Sequence, residues 1–236
     1  MNTEMTKAIL DGRKTQTRRV IKLDFSEHME ECINPNIEKL FDGDFGCPTC
    51  GAYHADGSLK PRYQKDEVIW VREPAIVSSI NNNCDGKLVF EYLADDGLKP
   101  ADTRYAVNLY SIDMPNRFLD KNGTVNRKWI NLQQGIPNGC VKEMARIFLE
   151  ITDIRVERLQ NISHEDIMAE GCVTYNDGEE KSVSYSAYNW YKELWNKTAL
   201  KGYKWKDNPY VFVYEFERVN KDGICYEQMV RQIRQR

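Results

Sequence analysis

The chain has 236 residues, with 33 lysines and arginines against 36 aspartates and glutamates and a formal net charge of -3. This balance excludes a uniformly basic surface that coats nucleic acid. The sequence also has no apolar run of about 18 residues, so no membrane span is predicted. Seven irregularly spaced cysteines are not typical of a secreted disulfide framework. The N-terminus also lacks the apolar core of a signal peptide, so we expect a cytoplasmic protein whose cysteines are thiols or metal ligands.

The first predicted element is a short helix over residues 3–11, which ends before Gly12 because glycine readily takes the positive φ of the position after a helix. A basic stretch, residues 12–20, follows as a loop or strand. It contains four cations and two hydroxyls within seven residues, namely Arg13, Lys14, Thr15, Thr17, Arg18 and Arg19. This composition favours the binding of an anion such as phosphate, and the alternative is a solvated basic surface.

Residues 24–64 are interpreted as an insertion, because acidic and turn-forming residues dominate them. Within it, Cys-Pro-Thr-Cys-Gly at residues 47–51 predicts half of a tetrahedral zinc site, since the turn brings two thiolates together. The ligands expected for a structural zinc are Cys47, Cys50, His54 as the third, and Cys32 or His28 as the fourth. The alternatives are a redox CxxC motif or a decayed knuckle that carries two thiols.

Two strands are predicted next. The first covers residues 65–73 and ends at Arg72 and Glu73, which either face the basic stretch from a barrel rim or form a surface ion pair. The second covers residues 88–93. A long loop over residues 95–128 follows, with one short strand near residues 106–110.

The strongest strand signal runs over residues 144–158, where alternate apolar residues share one face. A helix follows, with Ser163 as its N-cap and Gly171 at its end, so Glu170 lies in its last turn. A carboxylate at that position opposes the helix dipole. Such a violation of a local rule indicates a functional role for Glu170.

The remaining segments are a second polar insertion over residues 174–187, a helix over 188–196, a strand over 210–216 and a basic C-terminal helix or tail over 221–236. The helix is rich in aromatic residues, and at helical spacing these indicate a core face rather than base stacking. The last strand is apolar on both faces, which predicts a strand covered on both sides. We expect a single domain over residues 1–220.

The pattern G-x-K-x-x-T-x-R, formed by Gly12, Lys14, Thr17 and Arg18, resembles the signature of ASCH (activating signal cointegrator homology) domains. Three later segments resemble the same family in the same order: residues 68–73 (VIWVRE), residues 144–159 leading to 169–171 (AEG), and residues 208–216 (NPYVFVYEF). Together they are similar to the phage and prophage branch of the family. Members of that branch usually have an apolar strand before the first helix, whereas this sequence reads Met1-Asn2-Thr3 there.

The resemblance implies an α+β fold, a PUA-like β-barrel of five or six strands with flanking helices and with the insertion at 24–64 outside it. It also implies binding of RNA, another single strand or a nucleoside at a basic barrel mouth. The residues expected to contact the nucleic acid are Arg13, Lys14, Arg18, Arg19 and Arg72.

Small ASCH proteins that hydrolyse acetylcytidine imply an alternative function, an amidohydrolase acting on an acylated nucleoside. They use a lysine and a threonine of the same motif and a glutamate of the helix after the long strand, which match Lys14, Thr17 and Glu170. Thr17 would be the nucleophile, Lys14 would activate it, and Glu170 would transfer the proton. A further alternative, a phage assembly or scaffold protein, follows only from names used in that branch.

Overall fold

The computed structural model describes residues 2–22, 32–33, 36–40, 44–52, 59–81, 87–98, 110–123, 139–172 and 180–220. The α-helices in these ranges are α1 (Thr3–Leu10), α2 (His164–Ala169) and α3 (Glu180–Thr198). The strands are β1 (Gln16–Val20), β2 (Glu38–Lys39), β3 (Phe45–Gly46), β4 (Val68–Trp70), β5 (Ala75–Asn81), β6 (Lys87–Tyr92), β7 (Tyr110–Asp113), β8 (Phe148–Arg158) and β9 (Tyr210–Val219). Within the described segments, no helix has both the length and the apolar character needed to cross a membrane.

The chain divides into two compact units. The first consists of Met1–Asp11, Ile69–Leu149 and Val219–Arg236, and the second of Gly12–Val68 and Glu150–Arg218. The single domain expected over residues 1–220 stays a prediction.

The second unit contains β1 and most of β9 and β8, which are consecutive strands of a sheet with the order β1-β9-β8-β4. β1 pairs antiparallel with β9, so that Thr17 lies opposite Tyr214 and Arg19 opposite Phe212. One face of this sheet, here called the helix face, packs on α2 and α3. Its buried core is formed by Leu159, Ile162, Ile167, Cys172, Ala187, Tyr191, Trp205, Val211 and Val213.

The opposite face of the same sheet, here called the insertion face, is covered by residues from the predicted insertion. Phe45 of β3 packs edge-on against Phe212, with ring centroids 5.3 Å apart. Tyr63 packs in the same way against Tyr214 at 5.5 Å. β9 is therefore covered on both sides, as its sequence pattern predicts.

The first unit contains a three-stranded sheet with the order β5-β6-β7. Its core includes Val77, Leu88, Phe90 and Met144. Next to this core the Arg146 guanidinium donates to Glu73 at 2.6 Å and to Asp95 at 2.7 Å. The Arg146 guanidinium also lies over the Tyr92 ring, 3.9 Å from its centroid.

The predicted α+β class is confirmed, because strands in antiparallel pairs dominate and few helices accompany them. The predicted closed barrel is not found among the described residues, whose strands form open sheets of four, two and three strands. The structure differs from the predicted polar insertion over residues 174–187, since α3 begins at Glu180 and includes the last part of that range. The C-terminal segment 221–236 lies outside the described residues.

Local signals placed the shorter helices well. The Ser163 side chain accepts a hydrogen bond from the Asp166 N–H at 3.1 Å, as an N-cap does. The glycines after α1 and α2 have positive φ, +74° at Gly12 and +97° at Gly171. These two turns fix where the basic stretch and the end of α2 meet.

Candidate functional site

Strand alternation divides the basic stretch between the two faces of the sheet. Gln16 and Arg18 are buried, whereas Thr17 is half-buried and Arg19 is exposed. Lys14, just before β1, forms an isolated antiparallel bridge with Glu170 and is also buried. Lys14, Gln16 and Arg18 therefore belong to the helix face, and Thr17 and Arg19 to the insertion face.

Lys14 and Glu170, 156 residues apart in the chain, form a buried ion pair. Lys14 Nζ donates to Glu170 Oε2 at 2.6 Å, and the two side chains are 3% and 5% exposed. The ammonium also donates to the main-chain oxygens of Gln16 at 2.8 Å and Glu170 at 2.9 Å, so all three of its protons are used. Burial lowers the pKa of Lys14 despite the opposing charge of Glu170.

The backbone turns next to this pair account for its geometry. The Thr15 N–H donates to the Ala169 carbonyl oxygen at 2.8 Å. Arg13 reaches the same corner, where its Nη1 donates to the Gly171 carbonyl oxygen at 3.1 Å. The end of α2 and the start of β1 are thus joined on both sides of the ion pair.

Arg18 is the centre of a larger ionic network on the helix face. Its side chain is 0% exposed, and Nη2 lies 2.6 Å from Glu157 Oε1 and 2.8 Å from Asp166 Oδ2. Nη1 donates to Gln16 Oε1 at 2.7 Å and to Glu170 Oε1 at 3.3 Å. Because these carboxylates already neutralise its charge, Arg18 contacts a phosphate only if they are displaced.

Arg155 extends this network along β8. Its Nη2 donates to Asp166 Oδ1 at 2.9 Å, and its Nη1 to Glu215. Burial alone would raise the pKa of Asp166, but the Gln16 hydrogen bond and the charges of Arg18 and Arg155 hold that pKa below its usual value. Asp166 is therefore ionised at neutral pH.

The insertion face of β1 has a different character. Arg19 Nη1 donates to Thr17 Oγ1 at 3.0 Å and to the Arg18 carbonyl oxygen at 3.0 Å. Within the part of the chain that the structure describes, no carboxylate oxygen lies within 4.0 Å of the Arg19 guanidinium. Arg19 thus presents its positive charge to solvent beside a hydroxyl.

A second arginine and a tyrosine contact β9 on the same face. The Arg62 N–H donates to the hydroxyl of Tyr214, the residue opposite Thr17, at 2.9 Å. The exposed Arg62 guanidinium lies over the Tyr63 ring at 5.3 Å from its centroid. We call Thr17, Arg19, Arg62 and Tyr63 the arginine–tyrosine face.

The structure brings together only two of the three predicted catalytic residues. Lys14 and Glu170 meet, whereas the Thr17 side chain lies on the opposite face of β1. Arg72 belongs to the first unit, where it is exposed and its guanidinium lies over the Trp70 ring at 5.4 Å. The catalytic and nucleic-acid-binding roles of the predicted residues stay predictions.

The three predicted zinc ligands that lie in the described residues form a cluster. The sulfur atoms of Cys32, Cys47 and Cys50 all lie within 4.8 Å of one another, and those of Cys32 and Cys47 are 3.8 Å apart. A tight turn supports them: the Gly51 N–H donates to the Cys47 carbonyl oxygen at 2.8 Å, and Gly51 has a φ of +72°. The other predicted ligands, His54 and His28, lie outside the described residues.

Sequence reasoning missed two groups of residues. No pattern in the sequence indicated that Glu157 and Asp166 contact Arg18. The two-residue period of a strand does place Lys14, Gln16 and Arg18 on one face and Thr17 on the other. Arg62 and Tyr63 lie in a segment without apolar periodicity, so no pattern linked them to β1.

Comparisons with protein-family models, with curated proteins and with solved structures find no match to this chain. The ion-pair network and the arginine–tyrosine face, together with the resemblance carried by the motifs, are therefore the features from which a function is inferred.

Proposed function

We propose that this protein is an ASCH-type, PUA-like domain protein that binds a nucleotide or a single-stranded nucleic acid at the arginine–tyrosine face. The observation that carries the proposal is the exposed Arg19 guanidinium, which has a hydroxyl neighbour and no carboxylate partner among the described residues. A guanidinium of this kind donates two hydrogen bonds to a phosphate, and its attraction to the phosphate is not cancelled by a nearby anion.

The buried side of β1 supports this role indirectly. Lys14 and Arg18 hold β1 against α2 through Glu170, Glu157 and Asp166. Such a network keeps the backbone of Thr17 and Arg19 in one position before the ligand arrives, which reduces the entropy lost on binding. In this proposal Lys14 and Arg18 position the strand, and Arg19 contacts the phosphate.

The proposal is tested by the fluorescence anisotropy of a labelled single-stranded oligonucleotide, titrated with the protein at several salt concentrations. We expect salt-dependent binding, and we expect Arg19→Gln to weaken it and to reduce the slope of log K against log salt by about 0.7. Lys206→Gln is the matched control, because it removes an equal charge from an exposed site in the same unit. Wild-type protein without salt-dependent binding, or an Arg19→Gln variant equal to the control, contradicts the proposal.

A second candidate function is the hydrolysis of an acylated nucleoside, and the Lys14–Glu170 contact favours it. A lysine whose pKa is lowered by burial next to a carboxylate is a suitable proton acceptor. The nucleophile is the difficulty, because Thr17 Oγ1 accepts a hydrogen bond from Arg19 on the opposite face. Attack by Thr17 requires its hydroxyl to come within about 3 Å of Lys14 Nζ, so the geometry favours binding as the main function.

The hydrolysis candidate has its own test. If it holds, the wild-type protein releases the acyl group from an acylated cytidine, and Thr17→Val abolishes turnover while leaving affinity for the nucleoside nearly unchanged. Thr15→Val is the matched control, since it removes an exposed hydroxyl two residues away. Absence of turnover by the wild type, at protein concentrations where the nucleoside binds, removes this candidate.

We also propose that Cys32, Cys47 and Cys50 bind a structural zinc ion. A zinc ion about 2.3 Å from each of four tetrahedral ligands places neighbouring sulfurs about 3.8 Å apart. The Cys32–Cys47 distance of 3.8 Å fits this value, and it is far longer than a disulfide bond. His54, predicted from the sequence as the third ligand beside Cys47 and Cys50, stays a prediction and would complete the set of four.

A further inference from the structure

We propose that Tyr63 is a stacking platform for a nucleobase and that Arg62 and Arg19 bind the phosphates around it, so that the ligand is a single strand. This inference rests on the proposed binding function and names the form of nucleic acid and the residue that recognises a base. It follows from the contacts around Tyr214, which connect Tyr63 to β1.

Tyr214 holds the two parts of this surface together. Its ring is buried on the insertion face, opposite Thr17 in the β1–β9 register. Its hydroxyl accepts from the Arg62 N–H at 2.9 Å, and its ring packs edge-on against the Tyr63 ring, with centroids 5.5 Å apart and an interplanar angle of 71°. The orientation of the Tyr63 ring is therefore fixed before any ligand binds.

Fixed aromatic rings with cations beside them are typical of proteins that bind single strands. Each base stacked on such a ring contributes affinity with little dependence on sequence, and the cations follow the phosphates. Tyr63 is half-buried and Arg62 is exposed over its ring at 5.3 Å, so a base displaces only an exposed side chain to reach the ring. The displaced Arg62 guanidinium then contacts a neighbouring phosphate.

The same geometry disfavours a duplex. Bases in a duplex are paired and stacked, so a tyrosine side chain reaches a base face only after the base has been unstacked. Thr17, which accepts a hydrogen bond from Arg19, lies opposite the Tyr214 backbone, and Tyr63 packs on the Tyr214 ring. A flexible strand follows such a path from phosphate to base more easily than a stiff double helix does.

The rival explanation is that Arg62 and Tyr63 are a surface cation–π pair that only covers Tyr214. The two explanations predict different preferences between oligonucleotide ligands. A stacking platform distinguishes a strand with bases from an abasic strand of the same length and charge, whereas a basic surface alone binds both equally.

The test compares three labelled probes of equal length: an oligothymidine, an oligomer of abasic sites, and a duplex. We expect the wild type to bind the oligothymidine at least about five-fold more tightly than the abasic oligomer, and the duplex more weakly than the oligothymidine. Tyr63→Leu should remove the preference for bases, Tyr63→Phe should keep it, and Arg62→Gln should lower the salt slope by about 0.7. The thermal midpoint of each variant shows whether the fold is retained.

The outcomes separate this inference from the proposed function. Equal wild-type affinity for the oligothymidine and the abasic oligomer, with binding still dependent on Arg19, overturns the stacking platform and leaves the proposed function standing. A preference for bases that persists in a folded Tyr63→Leu variant also overturns it. Wild-type protein that binds none of the three probes overturns both.

Discussion

At the scale of single residues, Arg18 and Arg19 show how strand position decides the role of a side chain. They are adjacent and chemically identical, yet Arg18 is fully buried among carboxylates and Arg19 is exposed on the other face. The first side chain stabilises the fold, and the second is available to a ligand. Composition alone assigns both to one basic surface, and only the alternation of β1 separates them.

The same substitution at these two positions therefore has different consequences. We expect Arg18→Ala to lower the free energy of unfolding by about 3 to 5 kcal/mol, because Glu157, Asp166 and Glu170 lose a buried partner. Arg19→Ala should change it by less than about 0.5 kcal/mol, since the site is exposed. Urea denaturation of both variants measures this difference, and equal destabilisation by the two would contradict the assignment of faces.

At the scale of elements, β2 and β3 are too short to be stable by themselves. Each strand has two residues, and a two-stranded hairpin is marginal even at greater length. Phe45 anchors the hairpin on Phe212, and the turn that follows it carries Cys47 and Cys50. The zinc ion proposed for the thiol cluster would supply the missing stability, because metal binding contributes directly to folding of small elements.

We therefore expect one zinc ion per chain in freshly purified protein, measured by elemental analysis. Cys47→Ser should abolish the zinc and lower the thermal midpoint, and a chelator should have the same effect on the wild type. Cys172→Ala is the control, since Cys172 is buried in the α2–α3 core and lies outside the thiol cluster. Zinc well below one ion per chain in the wild type would refute the metal site.

At the scale of the whole molecule, positive and negative charges nearly balance, and some of them pair in a buried ionic network in each unit. In the first unit, burial raises the pKa of Glu73 against the effect of Arg146. In the second unit, the pKa of Asp166 is lowered. A raised carboxyl pKa favours the folded state as pH falls, and a lowered one favours it as pH rises, so the two contribute to pH dependence with opposite sign.

The effect of Asp166 is therefore measured as the difference in free energy of unfolding between the wild type and Asp166→Asn, because Glu73 is present in both. The stability that ionised Asp166 contributes is fully present above its unfolded pKa of 3.8 and is lost as pH falls through the lower folded pKa. Asp166→Asn should thus be less stable than the wild type at pH 6, and the difference should narrow below pH 3.8. Urea denaturation across this range measures it.

Asp153→Asn provides the control for this series. Asp153 and Lys39 form an exposed ion pair at 3.5 Å, so the variant should stay within about 0.5 kcal/mol of the wild type at every pH. If the difference in free energy of unfolding between Asp166→Asn and the wild type stayed constant down to pH 3, Asp166 would not titrate as the network implies.

Much of the local structure is determined by the sequence, because local signals act over a few residues. The cap at Ser163, the glycine after α1, the long strand β8 and the two apolar faces of β9 all follow from neighbouring side chains. The motif also selected Lys14 and Glu170, which the structure brings to 2.6 Å. The thiol pair of Cys47 and Cys50 followed from turn chemistry alone.

Tertiary structure alone decided which charges are neutralised and which are exposed. The carboxylates of Glu157, Asp166 and Glu170 reach Arg18 from 139 to 152 residues away, and no periodic pattern records such contacts. Tyr63 likewise packs on Tyr214, and its neighbour Arg62 donates to the same tyrosine from 152 residues away. A sequence shows where charges occur along the chain, but pairing depends on distance in space, which only the packed strands and helices determine.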